Sequence, residues 1–64
     1  MKWRRYIGET KRISRHVLRG GATYTAFDED IEDGKVMVVV GMGERGFVLT
    51  YPNREEYERE WAEG

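Results

Sequence analysis

The run Val36-Met37-Val38-Val39-Val40 constrains this chain more than any other stretch. β-Branched side chains are stiff about χ1 and pack better on a pleated surface than along a helix. Asp33-Gly34 precedes the run and Gly41 follows it, so these five residues are bounded as a strand. With apolar residues on both faces, the strand is expected to be central and covered on both sides. Asp33-Gly34 is a hairpin signal, because glycine reaches positive φ without steric cost. Residues 22–27, Ala-Thr-Tyr-Thr-Ala-Phe, follow the break at Gly20-Gly21 and read as the strand before the turn. Residues 47–51, Phe-Val-Leu-Thr-Tyr, read as the strand after the Gly41 to Gly46 turn, forming an antiparallel hairpin with the valine run.

The remaining segments extend this pattern. Residues 3–8, Trp-Arg-Arg-Tyr-Ile-Gly, are short, aromatic and closed by glycine, as expected of a first strand. Residues 9–19 are polar and basic, with Ile13, Val17 and Leu18 near a helical spacing; a long loop is favoured over a helical turn. A C-terminal helix is expected at about residues 53–63. Asn53 stands where it caps free backbone donors, Glu56 follows in capping-box spacing, and Glu55 and Glu56 suit the positive end of the helix dipole. Tyr57 and Trp61 are four apart and are expected to share the face that packs on the sheet.

At 64 residues the chain is expected to form a single domain spanning 1–64, and without cysteine it has neither disulfides nor thiolate metal sites to stabilise it. Packing must do so. The longest apolar run is far below the ~20 residues that span a bilayer, and no apolar stretch follows the basic start, so a cytoplasmic, non-membrane protein is expected.

Several motifs with chemical meaning fail on context. Gly41-Met42-Gly43-Glu44-Arg45-Gly46 spells G-x-G-x-x-G, but a dinucleotide site needs a helix after the glycines and here a strand follows. A kinase loop needs a downstream lysine, and none follows Lys35. His16 is the only histidine and Ser14 the only serine; alternate residues in an extended segment lack the third, orienting group of a nucleophilic triad. The acidic run Asp28 to Asp33 lacks the glycine at six and glutamate at twelve of a calcium loop. No catalytic residue, metal or cofactor is therefore expected.

Charge is the informative asymmetry. Residues 1–26 carry seven basic residues against Glu9 alone, a net +6, while residues 27–64 carry eleven acids against Lys35, Arg45, Arg54 and Arg59, a net −7. Part of this charge is expected to pair across the surface, and part to leave a basic face for an anionic partner. Trp3 and Tyr6, interleaved with Arg4 and Arg5 and followed by Lys11, Arg12, Arg15 and Arg19, form the candidate binding surface. Guanidinium groups beside aromatic rings suit acidic protein surfaces, and they also suit single-stranded nucleic acid. The overall net charge of −1 lies far from the basic balance of nucleic-acid domains, so a protein partner with an acidic surface is the first expectation and nucleic acid the second. An unpaired edge strand leaves monomer and weak dimer both open.

The strings Tyr6-Ile7-Gly8, Leu18-x-x-Gly21-x-x-Tyr24-x-Ala26-x-Asp28, Gly46-Phe47-x-Leu49-x-Tyr51-Pro52 and Glu55-Glu56-Tyr57 together resemble the small SH3-like β-barrel proteins common in bacterial and phage genomes. The resemblance spans most of the chain, through short motifs of moderate specificity. It implies a mainly β protein: a small antiparallel barrel of about five strands within 1–51 and a short C-terminal α-helix, used for binding and without catalysis. It makes residues 9–17 a long loop ahead of a diverging turn. The chain departs from eukaryotic SH3 domains in lacking an acidic loop ahead of that turn and paired tryptophans after a hairpin. In layout alone it is also similar to small archaeal chromatin barrels, which are strongly basic.

Overall fold

Alternation along the chain sets the architecture, seen in a computed structural model that describes residues 2–41 and 43–63. The elements are β1 (Lys2–Tyr6), β2 (Lys11–Ile13), β3 (His16–Leu18), β4 (Thr23–Asp30), β5 (Val36–Val40), β6 (Phe47–Tyr51), α1 (Arg54–Glu60) and β7 (Trp61–Glu63). Five strands form one antiparallel sheet in the order β6-β5-β4-β1-β7, and β2 pairs with β3 in a separate hairpin. The outer strands β6 and β7 are not hydrogen-bonded to each other, so the sheet is open rather than a closed barrel.

β4 holds the sheet together by changing partners. Thr23, Tyr24 and Thr25 pair only with β1, Phe27 to Asp30 pair only with β5, and Ala26 pairs with both Lys2 and Val40. A small side chain at this junction is fully buried, where a larger one would collide with the core. The valine strand is central, as its composition predicts, but covered on one face only. Val36, Val38 and Val40 are buried, whereas Met37 and Val39 face outward and are half-exposed. A strand in an antiparallel sheet needs only one covered face, which is why the run of five apolar residues is a weaker sign of burial than it looks.

The core combines aliphatic Leu18, Ala26, Val36, Val38 and Val40 with Tyr6, Tyr51, Tyr57 and Trp61; Ile13, Tyr24, Phe47 and Leu49 pack against it. The aromatic residues bring polar atoms inside, and each of those atoms is paired. The Tyr6 hydroxyl donates to the Glu9 carbonyl at 2.7 Å, and the Tyr57 hydroxyl to Asp28 Oδ1 at 3.2 Å. Trp61 Nε1 donates to the Tyr51 hydroxyl at 2.9 Å, which in turn donates to Glu60 Oε1 at 2.8 Å. The turn at Asp33-Gly34 has both residues at positive φ, 61° and 75°, as the dipeptide predicts.

Two segments differ from expectation. Residues 9–19, expected as a loop, contain the β2–β3 hairpin, which turns at Ser14-Arg15 with Ser14 at φ 56°. Its register pairs Lys11 with Leu18 and Ile13 with His16, so Ile13 and Leu18 share the inward face of a two-stranded ribbon, while Val17, paired with Arg12, lies exposed on the other face. The base of the ribbon passes close to the segment that follows β1: a Cβ on Gly20 would lie 2.5 Å from the Gly8 carbonyl oxygen.

The C-terminal helix, expected to run to about residue 63, ends at Glu60. Asn53 caps it as predicted, accepting from the Glu56 N–H at 2.8 Å. Trp61 is then extended, and residues 61–63 pair with β1 in the register Tyr6↔Trp61, Arg5↔Ala62 and Arg4↔Glu63. A helix of this length has little stability of its own, so three residues gain more from the free edge of β1 than from another helical turn. Tyr57 and Trp61 are both buried, from two different elements rather than one helix face.

Candidate binding site on the first strand and the hairpin

Strand alternation divides the predicted binding residues. On β1, Tyr6 points inward and is fully buried, a core residue. Arg4 shares its face and is mostly buried, with Nη2 3.1 Å from Asp28 Oδ1. Asp28 is a hub, since Arg54 Nη2 reaches its other oxygen at 2.9 Å and the Tyr57 hydroxyl also donates to it. Burial pushes the Asp28 carboxyl up, but the Arg54 hydrogen bond, the Arg4 charge and the Tyr57 hydroxyl outweigh burial and hold it below the ordinary aspartate value.

Lys11 is likewise committed to the fold. Its Nζ lies 2.9 Å from Glu60 Oε1 and stands over the rings of Tyr6 and Tyr51 at 5.6 and 5.9 Å. Desolvation opposes the charge on Lys11, and the Glu60 carboxylate overcomes it, leaving the ammonium above its ordinary value. Glu60 moves the opposite way: burial raises it, while Lys11 and the Tyr51 hydroxyl bring it below the ordinary glutamate value. Tyr51 is pushed well up, first by burial and then by Glu60.

Trp3, Arg5, Arg12, Arg15 and Arg19 remain at the surface. Trp3 is 64% exposed on the outward face of β1, two residues from Arg5 on that same face. On the hairpin, Arg12 pairs in register with the exposed Val17 on the outward side, Arg15 stands in the turn, and Arg19 follows β3. The inward side is used for packing, with the His16 ring stacked on Phe47 at a centroid distance of 4.5 Å.

The outward face carries apolar residues that the charge pattern did not single out. Phe27 on β4 is 40% exposed and Val48 on β6 is 52% exposed, with Val39 of β5 between them in register. Trp3 pairs with Thr25, one outward position before Phe27 on the same strand. An apolar band therefore crosses the sheet from β6 to β1. Alternation in Phe27-Asp28 and Phe47-Val48-Leu49 was the signal for it, once the inward partners were fixed.

Acidic residues on the opposite side are engaged by cations. Arg54 reaches Asp30 Oδ1 at 2.7 Å as well as Asp28, and among the described residues no group of three or more His, Asp or Glu side chains converges as a metal site. Within the G-x-G-x-x-G string, Gly43–Arg45 form a short 3₁₀ turn between β5 and β6, and Met42 lies outside the described residues. Among the described residues no helix is long and apolar enough to cross a membrane. Comparison of the chain with protein-family models, with curated proteins and with solved structures gives no match.

Proposed function

We propose that this protein is a non-catalytic binding module of SH3-like organisation that docks on the acidic surface of a protein partner. Support for the organisation comes from the shared strand β4, from the hairpin inserted ahead of Leu18-x-x-Gly21-x-x-Tyr24, and from a short helix between β6 and β7. In this reading α1 and the hairpin cover the two open sides of the sheet. The observation that carries the function is Trp3. The fold buries Trp61 and three of its tyrosines, yet leaves this indole largely in water beside Arg5. Exposed aromatic area next to a guanidinium is the composition of an interface anchor, and Arg12, Arg15 and Arg19 supply charge-assisted bonds around it. Such a molecule acts by occupying a partner's surface, in the manner of a small accessory or phage-encoded modulator of a host protein.

The test is a salt titration of binding to a labelled acidic peptide rich in Glu and Leu, beside labelled single- and double-stranded oligonucleotides. Saturable peptide binding that falls by roughly tenfold in Trp3→Ala supports the reading. Binding to the oligonucleotides alone, weakening steeply with salt, replaces it with a nucleic-acid role for the same residues.

A further inference from the structure

The outward face of the five-stranded sheet carries its own complement. Arg5 and Trp3 of β1 stand beside Thr23 and Thr25 of β4, and further along the same face of β4 come Phe27 and Glu29. The row of Phe27 continues through Val39 to Val48, and the row of Glu29 through Met37 to Thr50. Among the described outward positions of these strands, Arg5 and Glu29 are the charged ones, and both are exposed. Six positions along β4 separate the row of Arg5 from that of Glu29, about 20 Å, too far to pair within one molecule. Neither takes part in an ion pair among the described residues. The apolar side chains lie between them. An acidic surface laid over the whole face would meet Glu29, and a basic one would meet Arg5.

A face with one cation at one end, one anion at the other and aromatic rings between fits a second copy of itself. A two-fold contact requires that each residue meet its complement and that the complement meet it in return. Ala26 lies midway between Thr23 and Glu29 on β4. A two-fold axis in the plane of contact, crossing the strands at that point, reverses the strand direction of the second copy. Row 23 then faces row 29, and row 25 faces row 27. Arg5 meets Glu29 of the second copy and Trp3 meets its Phe27, each contact made twice. Arg5 and Trp3 stand one strand aside from Glu29 and Phe27, roughly 4.8 Å, and a tilt close to the roughly 30° at which aligned sheets pack takes up that offset. We propose that the chain forms a weak two-fold dimer through this outward face. Trp3 and Phe27 leave water together, and the two Arg5–Glu29 pairs at the rim set the register. The contact draws on far fewer than the roughly 20–30 residues a side of a standard interface, so dissociation is expected near about 0.1 mM. The dimer goes beyond the binding-module reading and does not depend on it; where a partner takes Trp3, the two associations exclude each other.

Sedimentation equilibrium from about 10 μM to about 1 mM, on the parent and on Arg5→Glu and Glu29→Arg, tests the arrangement. The parent is expected to pass from monomer to dimer over this range. Each variant alone brings like charges together and is expected to dissociate at least roughly tenfold more readily. An equimolar mixture of the two variants is expected to dimerise as the parent does, because both pairs are then of opposite sign. Both changes lie at exposed strand positions, so melting close to the parent is expected of each. A parent that stays monomeric throughout overturns the proposal. Dimerisation that neither charge change weakens also overturns it, since the contact then lies elsewhere, as on the outer edge of β6. So does a mixture that remains as monomeric as its two components.

Discussion

Tyr51 shows how much a single side chain carries here. Its ring is buried, and its hydroxyl stands between the Trp61 indole N–H, which donates to it, and Glu60 Oε1, which accepts from it. Removal of that oxygen leaves a donor with no acceptor inside the protein, a loss of about 1–3 kcal/mol, whereas Glu60 keeps Lys11. Tyr51→Phe should therefore lower the melting temperature by roughly 4–8 °C for each kcal/mol lost. An unchanged midpoint would show that water replaces the hydroxyl. At this scale the sequence was only partly legible. Tyr57 and Trp61 were readable as packing residues and both are buried, but nothing local told Tyr6 from Trp3. Both are aromatic residues on one strand, and only the parity of β1 against β4 and β7 sends one inward and the other out.

Among the elements, those specified by adjacent residues were readable in advance: the valine strand, the Asp33-Gly34 turn and the Asn53 cap. The hairpin and β7 were not, because each exists through a distant partner. Glu60 makes that dependence testable. It accepts from Lys11 on β2 and from Tyr51 on β6, and so ties the hairpin to the sheet through the end of α1. The folded state holds the Glu60 carboxyl below the unfolded value of 4.5. A carboxyl lowered by folding stabilises the fold fully above its unfolded pKa, and the contribution disappears as pH falls through the folded value. Amide exchange in β2 and β3 should accordingly quicken, beyond its intrinsic pH dependence, as pH falls from about 6 to about 3. Glu60→Gln should show the quicker exchange already at neutral pH. Asp28 is lowered for similar reasons and titrates in the same acid range, but it links β1, β4 and α1, so its effect is distinguished by where protection is lost. Hairpin exchange that follows only the intrinsic rate would show that the Lys11–Glu60 pair does not hold the ribbon.

For the whole molecule, the opposite net charges of the two halves of the chain have two separate uses. Arg4 and Lys11 from the basic half are folded inward onto Asp28 and Glu60 from the acidic half, whereas Arg12, Arg15 and Arg19 are exposed and outside the ion pairs among the described residues. This division sets stability apart from binding, and a pair of variants tests it. Val38 is fully buried and lies between Asp28 and Leu49 in register. Val38→Asp would place a second carboxylate beside Asp28 with no cation of its own, a cost of several kcal/mol that exceeds what a domain of this size has in reserve. The variant should show no cooperative melting. Joint replacement of Arg12, Arg15 and Arg19 by Ser should leave the melting transition close to the parent, because exposed substitutions change stability by about 0.5 kcal/mol or less each, while binding to the acidic peptide falls sharply. If the triple variant instead lost several kcal/mol, these arginines would be structural partners of the acidic half. The hairpin would then belong to the machinery of folding, leaving Trp3 and Arg5 as the remaining contact surface.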